Sequence, residues 1–213
     1  MNALVEAPEN PKACFVFAHG AGAGMKHPFM SAVAKGLVER GIATLRYEFP
    51  YMERGSRRVD PPAVAQAAVR DACAEAAKRF AGVPLFAGGK SFGGRMTSQA
   101  QADSPLEHVL GLIFLGFPLH PPGKPSRDRA AHLTDVRIPM LFLQGERDEF
   151  AQLPLLRPLI EQLGGLATLE IFDHADHSFH VPARSGRKDA EVMAGMLGAM
   201  AGWIAGKLPP TRP

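Results

Sequence analysis

Short apolar runs alternate with longer segments of helical period along most of this chain, and that alternation limits the possible folds more than any other feature. Ala13 to Ala18 reads as a buried strand, a helical pattern follows from Pro28 to Arg40, and Ile42 to Tyr47 is the next apolar run. The pattern is typical of βαβ units around a parallel sheet. Further strands are predicted at Leu85 to Ala87, Val109 to Leu115, Pro139 to Leu143 and Ala167 to Phe172. We therefore expect an α/β fold, a three-layer α/β/α sandwich with about six mainly parallel strands.

The segments of helical period should form the outer layers. Asp60, followed by two prolines, is the predicted start of a long helix that ends near Phe80. Further helices are predicted from near Gly93, over Leu153 to Leu163, and over Lys188 to Lys207. We expect Trp203 of the last helix to pack on the sheet. Because no internal repeat or linker interrupts the pattern, residues 1–213 are predicted to form a single domain.

Charge and composition set limits on the class of protein. The net charge is +3, and the basic residues of the predicted loops form three loose groups rather than one dense stripe. Nucleic-acid binding is therefore not expected. The three groups are explained either by solvated loop charge or by a basic rim that attracts an acidic substrate or partner.

The N-terminal segment gives no sign of export. It contains Glu6 and Glu9 and lacks a basic stretch followed by an apolar one. The longest apolar run, Val109 to Leu119, is shorter than the roughly 20 residues that cross a bilayer. We therefore expect a cytoplasmic protein without a membrane segment. Cys14 and Cys73 are predicted to be small buried hydrophobes, because two cysteines make no disulfide framework.

A glycine-rich turn between a predicted strand and a predicted helix contains a G-x-S-x-G arrangement. Its members are Gly89, Ser91 and Gly93. A serine that is exposed at the top of a parallel sheet needs a sharp strand-to-helix turn, and only small residues fit two positions before and after it. The alternative is an ordinary serine in a glycine-rich turn. The strand–turn–helix context favours a nucleophile at Ser91.

A serine hydroxyl needs a histidine base and a carboxylate that orients the base. Asp148 comes just after the strand Pro139 to Leu143, and His177 comes just after the strand Ala167 to Phe172. We predict that these two residues act with Ser91, and that no metal or cofactor takes part. The alternatives are Glu146 and Glu149 for the acid, His174 and His180 for the base, and a metal cluster over 173–180.

The loop after the first strand is rich in glycine, from His19-Gly20 to Gly24. Such a loop lets main-chain N–H groups face a site without a side chain in the way. We predict that the N–H groups of Ala21 and Phe92 form the oxyanion hole, and removal of each should cost about 3 kcal/mol. A phosphate-binding loop is the alternative, but the Walker lysine and the dinucleotide G-x-G-x-x-G are missing.

These segments together resemble the α/β-hydrolase superfamily, in family order over nearly the whole chain. The resemblance is strongest to the small, lidless branch that includes dienelactone-hydrolase-like proteins. More narrowly, Arg46 to Tyr51 and Gly116 to Pro122 resemble uncharacterised bacterial relatives of a eukaryotic testis-expressed protein and of a subunit of a nuclear histone-acetyltransferase complex. The resemblance implies a hydrolase without a cofactor. Dienelactone hydrolases use a cysteine nucleophile, whereas position 91 is serine.

Two further expectations follow from the resemblance. The superfamily opens with two strands before the oxyanion strand, and the short N-terminal segment here predicts that they are missing or vestigial. Residues 116–138 are too few for a lid domain, so an open pocket for small or short-acyl esters is expected. Its candidate lining residues are Phe29, Tyr51, Phe117, Leu119 and Phe179. Thioester hydrolysis, or a non-catalytic interaction module with the same fold, would be the alternatives.

Overall fold

The computed structural model describes residues 1–209 and shows a sheet flanked by helices on both faces. The seven strands are β1 Ala3–Glu6, β2 Ala13–Ala18, β3 Ile42–Tyr47, β4 Leu85–Lys90, β5 Val109–Leu115, β6 Met140–Gly145 and β7 Ala167–Phe172. Their order across the sheet is β1-β3-β2-β4-β5-β6-β7, and every neighbouring pair is parallel except β1 with β3. The predicted parallel α/β sandwich is therefore confirmed.

The helices divide between the two faces of the sheet. They are α1 Pro28–Val38, α2 Pro50–Glu53, α3 Pro62–Arg79, α4 Phe92–Asp103, α5 Leu153–Leu163 and α6 Asp189–Ala205. The apolar sides of α1 and α6 pack on one face of the sheet, and those of α3, α4 and α5 pack on the other. Strand β2 shows why both layers are needed, because its successive side chains alternate between the two cores and all six residues are buried.

The N-terminal half confirms one expectation and corrects another. A short strand, β1, pairs antiparallel with β3 at the edge of the sheet, so the N-terminal part is vestigial, as expected, and adds a seventh strand to the six predicted. The carboxylate of Asp60 does not cap α3, whose N-cap is Pro61. Asp60 instead accepts a hydrogen bond from the N–H of Tyr51 at 2.7 Å and pairs with Arg54. Its carboxylate therefore holds the short helix α2 rather than the long one.

Several predicted packing roles are present. The ring of Trp203 lies against Phe86 of β4 with the centroids 5.8 Å apart. Cys14 and Cys73 are buried free thiols, and burial raises the pKa of each to about 12. None of the helices within residues 1–209 is long and apolar enough to cross a membrane. Residues 116–138 hold one short 3-10 helix, Asp128–Asp135, and no lid.

Strand β4 continues through the glycines that the sequence suggested as a turn. Gly88 and Gly89 are strand residues, and both must be glycine because their neighbours leave no room for a side chain. A Cβ at Gly88 would lie 1.8 Å from the carbonyl oxygen of Ile113 on β5, and one at Gly89 would lie 2.4 Å from that of Ala18 on β2. The close approach of three strands fixes the end of β4, where Ser91 follows.

The Gly88→Ala substitution should therefore lower the free energy of unfolding by more than about 4 kcal/mol, because the added methyl would meet main chain that cannot move aside. Urea denaturation followed by circular dichroism measures the loss. Gly165→Ala is the matched control, since a Cβ there meets nothing within 4 Å, and its effect should stay within about 0.5 kcal/mol. Equal urea midpoints for the two variants would contradict the packing described here.

Candidate active site

Ser91 occupies a strained turn between β4 and α4. Its φ of 49° and ψ of −112° lie outside the regions that L-residues normally adopt. Close packing of the turn imposes this conformation, because a Cβ at Gly93 would lie 2.6 Å from the carbonyl oxygen of His19. The Ser91 N–H donates to the carbonyl of Leu115 on β5 at 3.1 Å. The hydroxyl is thereby presented at the carboxyl end of the sheet.

Two side chains from the loops after β6 and β7 reach this serine. The Nε2 atom of His177 lies 2.9 Å from Ser91 Oγ, and its Nδ1 atom lies 2.6 Å from Asp148 Oδ2. An Nδ1–H that donates to the carboxylate leaves Nε2 free to accept the serine proton. The structure thus brings Ser91, His177 and Asp148 into one hydrogen-bonded series, in the arrangement that activates a serine.

The carboxylate of Asp148 is held by donors besides the histidine. Its side chain is buried, and it accepts hydrogen bonds from the N–H of Phe150 at 2.8 Å and from the side-chain amide of Gln144. The oxygen of the same amide accepts from the N–H of Phe117 at 3.0 Å. Gln144 was not among the site residues predicted from the sequence. The one sign of its role there is that it is a polar residue in an otherwise apolar strand.

The environment of His177 favours a neutral imidazole. Burial lowers its pKa below the ordinary value, and the positive charge of Lys90 lowers it further, while the hydrogen bond to Asp148 acts in the opposite direction. The ring of Phe150 packs on the imidazole with the centroids 4.3 Å apart. A neutral imidazole at neutral pH is the form that accepts a proton from serine.

The alternative acids and bases lie elsewhere. His174 pairs with Glu146 at 3.7 Å, and His180 pairs with Asp189 at 2.8 Å, both on exposed surface. Glu149 is exposed as well. Among the residues that the structure describes, no three His, Cys, Asp or Glu side chains lie close enough together to hold a metal ion.

Two hydrogen bonds hold the glycine-rich loop after β2, which contains the predicted oxyanion donor Ala21. The N–H of Gly22 donates to the hydroxyl of Tyr51 at 2.9 Å, and Nδ1 of the buried His19 lies 2.7 Å from the carbonyl of Gly20. Ala21 lies between these anchors, in the wall of the cavity that also contains Ser91. Phe92 is the first residue of α4, where a main-chain N–H has no partner within the helix. Their role as oxyanion donors stays a prediction.

A cavity of about 350 Å³ opens beside Ser91. Of the five side chains predicted to line it, Phe29 does so. The prediction is wrong for Phe179, which stacks on Phe29 with the ring centroids 6.0 Å apart. It is also wrong for Tyr51, Phe117 and Leu119, which are buried in the core under α3 and α4. The cavity is lined by Gly20, Ala21, Ala23, His27, Phe29, Met30, Lys90, Ser91, Phe150, His177 and Ser178.

Comparison with known proteins gives a family and a fold. Residues 11–205 match the family model described as an alpha/beta hydrolase domain. Solved structures with the same fold include an alpha-beta serine hydrolase homologue from Coxiella burnetii, with a TM-score of 0.75 and 19% identity over 92% of this chain and 90% of that one. A serine hydrolase without lid from Xanthomonas campestris matches with a TM-score of 0.74 and 22% identity, covering 99% and 90% of the two chains. The dienelactone hydrolase of Anabaena variabilis matches with a TM-score of 0.75 and 21% identity, covering 97% of this chain and 92% of that one.

Proposed function

The chain belongs to the alpha/beta hydrolase domain family, and from that premise we propose that it is a serine hydrolase, a carboxylesterase that cleaves small or short-acyl esters. One observation carries the proposal: the hydroxyl of Ser91, the imidazole of His177 and the carboxylate of Asp148 form an unbroken hydrogen-bonded series at the wall of a cavity. The relation to a testis-expressed protein stays a prediction.

The proposed reaction has two halves. In the first, Ser91 Oγ attacks the ester carbonyl carbon while Nε2 of His177 takes the hydroxyl proton, and Asp148 stabilises the resulting imidazolium. The N–H groups of Ala21 and Phe92 stabilise the oxyanion. The tetrahedral intermediate then expels the alcohol, which receives the proton from His177, and an acyl-serine remains. In the second half, water attacks the acyl carbon while His177 takes a proton from it. The bond between the carbon and Ser91 Oγ then breaks, Oγ takes the proton back from His177, and the carboxylic acid is released.

The cavity supports a small substrate. Its volume of about 350 Å³ is near the lower end of the roughly 300–1,000 Å³ found for ligand pockets, and apolar surface from Phe29 and Met30 suits a short acyl chain. Every step uses groups of this chain and water, so the proposed mechanism requires no cofactor. We further propose that residues 1–213 act as one domain, of which 210–213 lie outside the described residues. A cytoplasmic location and the absence of a nucleic-acid partner stay predictions.

A panel of nitrophenyl esters from acetyl to dodecanoyl tests this proposal. We expect kcat/KM to be highest for the shortest chains and to fall as the chain outgrows the cavity, with the Ser91→Ala variant measured alongside to subtract background hydrolysis. A parallel series of acyl thioesters separates the leaving groups. A maximum at dodecanoyl would contradict the short-acyl assignment, and a preference for thioesters would replace esterase with thioesterase.

A further inference from the structure

Lys90, which directly precedes Ser91, bonds the loop that carries His177. It is the last residue of β4, and its Nζ donates a hydrogen bond to the main-chain carbonyl of His177 at 2.6 Å. The two residues are 87 positions apart in the chain. One side chain therefore ties the strand that ends at the nucleophile to the main chain that holds the base.

The space around this ammonium is tight. Nζ lies 5.5 Å from the ring centroid of Phe179. A Cβ at Gly116 would lie 3.0 Å from Nζ and 3.3 Å from two atoms of the His177 ring, so glycine at 116 leaves the space that both groups occupy. Among residues 1–209, Lys90 has no ion-pair partner, and the main-chain carbonyl of His177 is its hydrogen-bond acceptor.

Three titratable groups face Lys90 from the loops packed against it. Asp148 follows β6, and Asp176 and His177 follow β7. Burial lowers the pKa of Lys90 to about 8, although the negative charges of Asp148 and Asp176 act to raise it. The side chain is partly buried and lines the cavity, and no carboxylate of the described residues is in contact with its ammonium. A methionine would fill similar space without the cost of desolvating a charge. The hydrogen bond to the main-chain carbonyl of His177 is therefore the contact that distinguishes lysine at this position.

We propose that Lys90 is a positioning residue for the reaction: its hydrogen bond fixes the main chain at His177 so that Nε2 stays within reach of Ser91 Oγ. The proposal rests on the proposed function, because it assumes that His177 is the base. Misplacement of a reacting group by about 1 Å can cost roughly a hundredfold in rate, and the series at Ser91 depends on a 2.9 Å contact.

The hydrogen bond and the charge of Lys90 should affect different quantities, kcat in the first case and the pH dependence of activity in the second. Its hydrogen bond holds the base and should raise kcat. Its charge lowers the pKa of His177 and so extends activity toward acidic pH, but the same charge opposes the imidazolium that forms during the reaction. Any gain in kcat from Lys90 must therefore come from the hydrogen bond that positions His177. A shift of the pH profile must come from the charge of the ammonium.

The test replaces Lys90 by methionine in the full chain and measures two quantities. We expect the pKa of His177, followed by NMR titration of its imidazole, to rise because the positive charge beside it is gone, and the acidic limb of kcat/KM to move to higher pH with it. We expect kcat to fall roughly tenfold to a hundredfold while KM changes little. Lys26→Met is the matched control, because it removes the same charge from an exposed lysine, and it should leave both quantities unchanged.

Lys90→Arg keeps a charge and donors at this position, so the pKa of His177 should be near the wild-type value and kcat should exceed that of the methionine variant. If the methionine variant does not fold, Lys90→Gln replaces it, since glutamine also removes the charge, and the same rise in the pKa of His177 is expected. A folded Lys90→Met protein whose His177 titrates as in wild type, with kcat within twofold, would overturn the proposal. If wild type hydrolyses no ester, the proposed function fails, whereas the NMR titration still decides whether Lys90 acts on His177.

Discussion

Replacing Ser91 by alanine should lower kcat for a short-acyl ester by about 10⁶-fold and abolish covalent labelling by a fluorophosphonate probe. The reason is that the alanine variant has no oxygen to form the acyl intermediate, while the imidazole, the carboxylate and the cavity stay in place. What remains is the small rate enhancement from binding and the oxyanion donors. Stopped-time product assays and mass spectrometry of the labelled protein measure the two effects.

Ser178→Ala is the matched control for this result. Ser178 lines the same cavity, but Ser91 is the serine whose Oγ lies 2.9 Å from His177 Nε2. We expect the Ser178 variant to keep its labelling and most of its activity. Labelling that survives in Ser91→Ala would show that another residue is the nucleophile. Folded wild type that takes up no label would favour a non-catalytic interaction module with the same fold.

Asp148→Asn should lower kcat by about 10⁴-fold with little change in KM. An asparagine occupies the same space, yet its amide no longer stabilises the imidazolium and can present an N–H to Nδ1, which reverses the tautomer that the base needs. The side-chain amide of Gln144 would also lose its charged acceptor. Single-turnover kinetics with a nitrophenyl ester separates this loss from any change in product release.

Glu149→Gln tests the rival carboxylate next to it. Glu149 is exposed and the buried Asp148 carries the contact to His177, so the glutamine variant should retain wild-type kcat. If Glu149→Gln lost activity and Asp148→Asn kept it, the assignment of the orienting acid would be reversed.

The parallel sheet could be predicted because each of its parallel strands contains a short apolar run, and most of these runs are separated from the next by a segment of helical period. Strand β2, for example, is buried at all six positions and contains no polar residue, so its apolar run stands out in the sequence. The short antiparallel β1 could not, since four residues are too few for a period to stand out. Asp60 was placed wrongly because Asp before proline is a common helix start, and only the fold shows that α2 offers this carboxylate a better partner.

The candidate site was predicted as far as the topology determines it. The carboxyl ends of neighbouring parallel strands lie together, so Asp148 after β6 and His177 after β7 could be expected near Ser91; their catalytic roles stay predictions. The contacts of Lys90 and Gln144 could not be expected. Each contact joins two residues that are distant in the chain. The direction of the Lys90 and Gln144 side chains depends on the surrounding fold, and no local sequence pattern indicates it.

The position of Ser91 and the apolar wall of the cavity depend mostly on different residues. Main-chain atoms of neighbouring segments surround Gly88, Gly89 and Gly93 and so locate Ser91. The apolar wall of the cavity comes instead from the side chains of Phe29, Met30 and Phe150. Phe150 also packs on the imidazole of His177, and its N–H donates to Asp148, so it belongs with the positioning contacts. Substitutions of Phe29 and Met30 can change the shape of the cavity without touching the glycines that locate Ser91. Libraries for laboratory evolution of the acyl preference therefore belong at positions 29 and 30.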